Sequence, residues 1–193
     1  VGTSTFLFTD IEGSTALLGR LGTEKYADVL AEHHRVIRES LAAHAGVEVD
    51  TQGDAFFAVF ASPSRCAAAA ISIQRSLATV AWPDGEDVRV RMGLHHGEAA
   101  ETANGPVGHD VHRAARIAGV AHGGQILVSE TAAALLRDSL PASAALLDLG
   151  QQRLKDMGRP EQVFQLVADG LNRQFPPLRS LNNPALANNL PQQ

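Results

Sequence analysis

Two aspartates stand where two strand-like runs give way to turns. Asp10 closes the apolar run Thr5-Phe6-Leu7-Phe8-Thr9, and Asp54 sits in the turn Gln52-Gly53-Asp54-Ala55 between two further strand-like segments. If the first and third strands are neighbours, both carboxylates project from adjacent strand ends, an arrangement suited to a hard divalent cation such as Mg²⁺ or Mn²⁺. The plainer reading of each is a turn aspartate. After Asp10, the stretch Ile11-Glu12-Gly13-Ser14-Thr15 carries helix-start residues, so its backbone amides form a natural phosphate cradle. There is no GxxxxGK[ST] sequence, hence no P-loop. In a third cluster, Gly108-His109-Asp110-Val111-His112-Arg113-Ala114-Ala115-Arg116, His112 and Arg116 are four residues apart and share a helix face. Its plainer reading is a solvated basic stripe.

The elements that must position these residues follow from pattern. Thr5 to Thr9 reads as a strand. From Thr23 to Ala43 the apolar positions Tyr26, Val29, Leu30, Val36, Ile37 and Leu41 make a helical stripe that Gly46 stops. Val47 to Gln52 and Ala55 to Phe60 read as a hairpin turning at Gly53-Asp54, residues 64 to 80 as an Ala-rich helix, and Asp87 to His96 as a strand with one buried face. A second Ala-rich helix runs from Val107 to Val120. Then come a strand at Gln125 to Val128, a helix near 129 to 138, and strands near Leu146 to Leu149 and Gln162 to Val167. This order predicts an α+β domain, an antiparallel sheet with helices packed on one face. His33-His34 and His95-His96 are adjacent pairs whose side chains point apart, so neither makes a two-histidine metal site, and at most one of each is buried.

Composition bounds the rest. The chain has 193 residues, 45% hydrophobic and 19% charged, enough for one well-buried domain. A net charge of −5 argues against nucleic-acid binding by this domain. No run approaches the roughly 20 apolar residues of a membrane span, and residues 1 to 10 lack signal-peptide features. A single cysteine, Cys66, excludes an internal disulfide and suits a reducing, cytoplasmic location. Five of the six Asn and four of the nine Pro lie after residue 170, so 171–193 reads as a Pro/Asn-rich linker tail after a domain at 1–170.

Taken together, residues 6–15, the Gln52-Gly53-Asp54-Ala55-Phe56 hairpin, Arg91-Met92-Gly93-Leu94-His95-His96-Gly97-Glu98 and Val111-His112-Arg113-Ala114-Ala115-Arg116 resemble the ordered blocks of class III nucleotide cyclase catalytic domains. The resemblance covers about residues 3 to 167. It is most similar to the actinobacterial branch in which such a domain precedes an ATPase and a LuxR-type DNA-binding region. Phe175-Pro176-Pro177-Leu178-Arg179-Ser180-Leu181 and the Asn-Asn-Leu-Pro run at 188 to 191 are similar to the linker into that ATPase.

The resemblance implies a ferredoxin-like antiparallel sheet with helices, and conversion of ATP, or GTP, to the 3′,5′-cyclic nucleotide and pyrophosphate. Two Mg²⁺ or Mn²⁺ ions per site would be held by Asp10 and Asp54 with the Ile11 carbonyl. Arg116 would meet transition-state charge, Arg91 and Lys155 the polyphosphate, and Gly13, Ser14 and Thr15 the nucleotide. The sites would form in a homodimer, with the aspartates from one chain and Arg116 from the other. Three positions depart from the family pattern: Asp50 and Gly105 stand where the adenine-selecting Lys and Asp are expected, and His112 where an Asn orients the ribose. A carboxylate only accepts hydrogen bonds, so Asp50 suits guanine N1–H and its amino group better than adenine N1. The other reading that these departures raise is a catalytically weak or inactive domain serving as a nucleotide-binding or dimerisation module of a multidomain transcription regulator.

Overall fold

The computed structural model describes residues 2–103 and 105–182. Its first six elements are β1 (Gly2–Ile11), α1 (Ser14–Ala43), β2 (Val47–Gln52), β3 (Ala55–Phe60), α2 (Pro63–Leu77) and β4 (Val90–Thr102). Their strands lie in the order β2-β3-β1-β4 and every pairing is antiparallel, which is the ferredoxin-like arrangement. Pro63 opens α2, where its missing N–H costs nothing. α1 is two segments, 14–21 and 23–43, because Gly22 adopts φ 75°, ψ 170°, a conformation that side-chain-bearing residues avoid.

The second half adds β5 (Gly105–Val107), α3 (His109–Val120), β6 (Ile126–Ser129), α4 (Glu130–Leu136), β7 (Ala144–Gln152) and β8 (Glu161–Ala168), completing the order β2-β3-β1-β4-β6-β8-β7, with β5 paired to the outer part of β4. Here two expectations need correction. β4 and β6 are parallel, joined by the crossover helix α3, so the sheet is mixed rather than wholly antiparallel. Nor do all helices share one face. Phe6 and Leu7, consecutive in β1, are both buried, and consecutive strand residues point to opposite faces, so both must be covered. Leu7 joins the large core beneath α1, α2 and α4, whereas Phe6 packs with Val111 and Ala114 of α3 on the reverse face. α3 approaches closely because residue 93 is glycine: a Cβ there would run into the backbone of Ala118 and Ala114.

Buried polar groups tie α3 to this sheet. His95 of β4, 1% exposed, shares a 2.7 Å hydrogen bond through Nδ1 with Ser129 Oγ, the cap of α4, and places Nε2 3.3 Å from Asp110 Oδ1 in the first turn of α3. Asp110 also accepts the Glu98 amide at 2.8 Å and pairs with Arg113. The linear order Ser129, His95, Asp110 is that of a nucleophile triad, but Ser129 is completely buried, so the chain of contacts is structural.

Residues 171–182 form no helix or strand, as their composition suggests, yet they lie on the domain: Leu178 and Ser180 are buried, and Arg179 N–H donates to the Val120 carbonyl at 3.1 Å. The Asn-Asn-Leu-Pro run at 188 to 191 lies outside the described residues. Among the described residues no helix is long and apolar enough to cross a membrane.

As the sequence suggests, one histidine of each adjacent pair is buried, and both buried rings carry an acid liability. Burial pushes His33 down to about 3, with His34 adding to it, and burial pushes His95 down to about 4 against the opposing charge of Asp110. Neither His33 ring nitrogen has a hydrogen-bond partner among the described residues. A histidine kept neutral in the fold but free to protonate near pH 6.5 when unfolded makes stability fall as pH drops through 6.5 toward the folded value. Each ring should cost about 2–3 kcal/mol between pH 7 and 4.5. His33→Leu should remove one share, read as a smaller shift of the urea midpoint between those pH values; an unchanged shift refutes the assignment. Asp110→Ala, which removes the acceptor of the Glu98 amide and one partner each of His95 and Arg113, should destabilise by about 2 kcal/mol at pH 7.

Candidate active site

The carboxylate corner is set by register. Thr9 lies opposite Phe56 across β1–β3, so one step further Asp10 faces Ala55 and Ile11 faces Asp54, while on the other side Asp10 lies opposite Arg91 of β4. The two aspartates therefore stand at adjacent strand ends. Asp54 Oδ2 accepts the Ile11 N–H at 2.8 Å. The N–H and C=O of one strand residue point to the same side, so the Ile11 carbonyl also faces the hairpin. Arg91 grips Asp10 with both arms of its guanidinium, Nε on Oδ1 and Nη2 on Oδ2 at 2.8 Å. That bond, with the charges of Asp10, Glu12 and Asp54 around it, holds the guanidinium protonated against the cost of its burial.

Two carboxylates and a carbonyl form an all-oxygen set, which fits Mg²⁺ or Mn²⁺. Among the described residues no three His, Cys, Asp or Glu side chains converge on a metal position, so water or substrate oxygens would complete the shell. Asp10 would have to exchange Arg91 for the cation. The phosphate cradle is narrower than the sequence suggests. The Ile11 amide is spent on Asp54 and the Glu12 amide on the Arg89 carbonyl at 2.9 Å, leaving the turn Gly13-Ser14-Thr15 that opens α1. Tyr26, read from sequence only as part of a helical stripe, reaches this corner: burial and then the charge of Asp54 push its phenol up, against a hydrogen bond with Ser14.

A second corner forms around α3. With Val111, Ala114, Ile117 and Ala118 buried, the helix exposes His112, Arg116 and Gly119, one stripe at spacings of four and three. Arg116 Nη2 contacts Asp156 Oδ2 at 2.6 Å, in the turn that also carries the exposed Lys155. Arg116 and Lys155 are thus brought to one place, but Arg116 bonds to Asp156 rather than to either aspartate of the first corner. Arg91 links the corners, Nη1 donating to the Gly119 carbonyl at 3.2 Å.

The third group is Asp50 and Gly105, which line one open groove of about 900 Å³ with Phe57, Val59 and Val111. Asp50 is exposed, just past an irregularity in the β2–β3 ladder, and accepts Gln52 Nε2 at 2.8 Å. Gly105, at φ 101°, crosses so close to Val49 that a Cβ would lie 2.5 Å from its side chain. The groove combines a carboxylate edge with an aromatic and aliphatic floor, which suits a planar, hydrogen-bonding ring.

The sequence and the fold have counterparts elsewhere. The family model described as the adenylate and guanylate cyclase catalytic domain matches residues 1–167. An uncharacterised protein of Mycobacterium tuberculosis is 38% identical over 182 residues, covering 93% of this chain and 61% of its own length. An adenylate cyclase of the yeast Lachancea kluyveri is 32% identical over 156 residues, covering 66% of this chain and 8% of its own. This chain therefore spans less than two thirds of each of these relatives. Among solved structures, an adenylate cyclase from Trypanosoma brucei, in its monomeric state, superposes with a TM-score of 0.79 at 27% identity, covering 92% of each chain. By sequence and by fold, this chain belongs to the adenylate and guanylate cyclase catalytic domain family.

Proposed function

We propose that the domain at 1–170 is a purine nucleotide cyclase that converts ATP to 3′,5′-cyclic AMP and pyrophosphate in a homodimer, with GTP as the second substrate candidate because of Asp50. The observation that carries this reading is the placement of Asp10 and Asp54 at adjacent strand ends with the Ile11 backbone between them. Asp10, Asp54 and the Ile11 carbonyl would hold two Mg²⁺ or Mn²⁺ ions. When bound, the ions supply positive charge that acidifies the ribose 3′-hydroxyl and offsets the triphosphate. The 3′-oxygen then forms its bond to the α-phosphorus as the bond to the β-phosphate oxygen breaks, and pyrophosphate leaves with its electron pair.

The chain's own residues supply positioning. Arg91, once Asp10 turns to the cation, is free for the polyphosphate, which Lys155 also meets. Gly13, Ser14 and Thr15 offer first-turn amides without intrahelical partners. Arg116 offers fixed positive charge to the α-phosphoryl oxygens, and His112, one turn earlier on the same stripe, a hydrogen bond to the ribose. The family resemblance implies that the composite site draws Arg116 from the second chain of a two-fold homodimer, and its pairing with Asp156 rather than with Asp10 or Asp54 agrees with that. Asp50 and Gly105 face the base in the groove.

The second reading, a weak or inactive cyclase-like module that binds nucleotide or dimerises, is favoured by one observation: Asp50, Gly105 and His112 occupy the positions of the base and ribose contacts without the usual side chains. In either case we place the domain in a cytoplasmic, multidomain regulator, joined through its tail to ATPase and LuxR-type DNA-binding parts.

Purified protein with Mn²⁺ and ATP or GTP should yield cyclic nucleotide; no yield above an Asp54→Ala control refutes the enzyme reading. Arg116→Ala should lower turnover by about 10²–10³-fold. Mixing Asp54→Ala with Arg116→Ala should recover up to about a quarter of parent activity, because half the dimers then hold one intact site of two. Asp50→Lys should move preference toward ATP in competition assays; an unchanged ratio removes Asp50 from the base.

A further inference from the structure

The segment 173–182 lies beyond the residues matched by the cyclase family, yet it is bound to both corners of the candidate site. Its middle is anchored at the end of α3: Leu178 is buried with Ile117, Val120 and Leu154, and Arg179 N–H donates to Val120 O at 3.1 Å. Upstream, the Phe175 ring stacks on His122, 8° from parallel, and the His122 Nε2 atom lies 3.1 Å from the Pro177 carbonyl. From this anchor two contacts diverge. The Arg179 guanidinium reaches Glu12, two residues past Asp10. Leu181 N–H donates to the carbonyl of Arg153, two residues before Lys155, at 3.0 Å, and Asn182 accepts the Arg153 amide and donates to Gln151 O at 2.7 Å.

We propose that 173–182 is a positioning strap between the two half-sites that one chain contributes: Arg179 on Glu12, with Leu181 and Asn182 on Arg153, fixes the spacing between the carboxylate corner, which serves one site of the homodimer, and the Lys155-Asp156 turn, which serves the other. The role of that spacing in catalysis rests on the cyclase reading; the mechanical coupling does not. Arg179 and Glu12 are part-exposed, and such ion pairs are individually weak, so this contact opens while the Leu178 anchor stays in place. Arg179 also occupies Glu12, a third carboxylate beside Asp10 and Asp54 that Arg91 and Arg89 otherwise face alone among the arginines, with His122 Nδ1 4.0 Å away. Lifting the strap therefore changes two things together: the freedom of the turn that presents Lys155 and holds Arg116 through Asp156, and the charge balance next to Asp10.

The test uses the full chain with Arg179→Gln, Arg179→Lys and Leu181→Pro, the last removing the N–H that Arg153 receives. Amide hydrogen exchange should rise at least fivefold at 153–158 in Leu181→Pro and at 12–15 in Arg179→Gln, with β1, β4 and α2 unchanged. In the cyclase assay with Mn²⁺, both variants should raise the nucleotide KM severalfold with kcat within about twofold, and Arg179→Lys should restore most of the loss. Unchanged exchange at both sites overturns the strap, as does loosened exchange with an unaltered KM. If the parent protein makes no cyclic nucleotide, the cyclase reading falls alone; the coupling is then decided by exchange and by the affinity for Mn²⁺ with a nonhydrolysable nucleoside triphosphate, which the variants should weaken.

Discussion

The contact between the Ile11 amide and the Asp54 carboxylate is the interaction around which the site is arranged. It spans two strands, one entering the sheet centre and one turning back at its margin, and it spends one carboxylate oxygen while leaving the other uncommitted. Slipping β3 against β1 by one residue would bury the wrong set of Phe56, Phe57, Ala58 and Val59, so the core of the domain enforces the alignment of the two aspartates. Stability and site geometry are here one constraint: Phe56 packs into the main core and Phe57 stacks on Phe8 across the reverse face, and both hold the register that aims Asp54.

Arg91 offsets part of the corner's negative charge. Asp10, Glu12 and Asp54 would repel one another in a half-buried pocket; the guanidinium on β4 opposes them while Arg179 pairs with Glu12. In the proposed reading, a cation would compete with Arg91 for Asp10, which couples metal binding to release of the arginine.

Much of this was legible in the residues. The strand-end and turn aspartates were visible because apolar runs bracket them, and the hairpin because Gly53 allows the turn. Coverage of both sheet faces was written in Thr5-Phe6-Leu7-Phe8-Thr9, an uninterrupted run that fits a strand buried on both sides, but a continuous run of five does not say which elements cover it. β5 is three residues long and contains Pro106, too short for a periodic signal. The partners of Arg116 and Arg179, Asp156 and Glu12, are 40 and 167 residues away in sequence, and surface ion pairs carry no local pattern. The docking of 173–182 combines the main-chain N–H groups of Arg179 and Leu181 with scattered side chains such as Phe175, Leu178 and Asn182 that follow no period, so composition shows an irregular segment and nothing of where it lies. Tyr26 was found as a helix-stripe residue and missed as a neighbour of Asp54 because the stripe and the site share one edge of α1.

The break at Gly22 divides α1 into a short leading segment and a long trailing one. The trailing segment carries Val29, Val36, Ile37 and Leu41 into the main core and is immobilised by them, whereas the leading segment is held by Leu17 and Leu21 and by the Arg20–Glu86 ion pair at 2.8 Å. The turn Gly13-Ser14-Thr15 rides on the leading segment alone. In engineering terms, the turn sits on a short bracket joined at Gly22 to a long beam, and Leu17 and Leu21 bolt that bracket to the same hydrophobic framework as the beam.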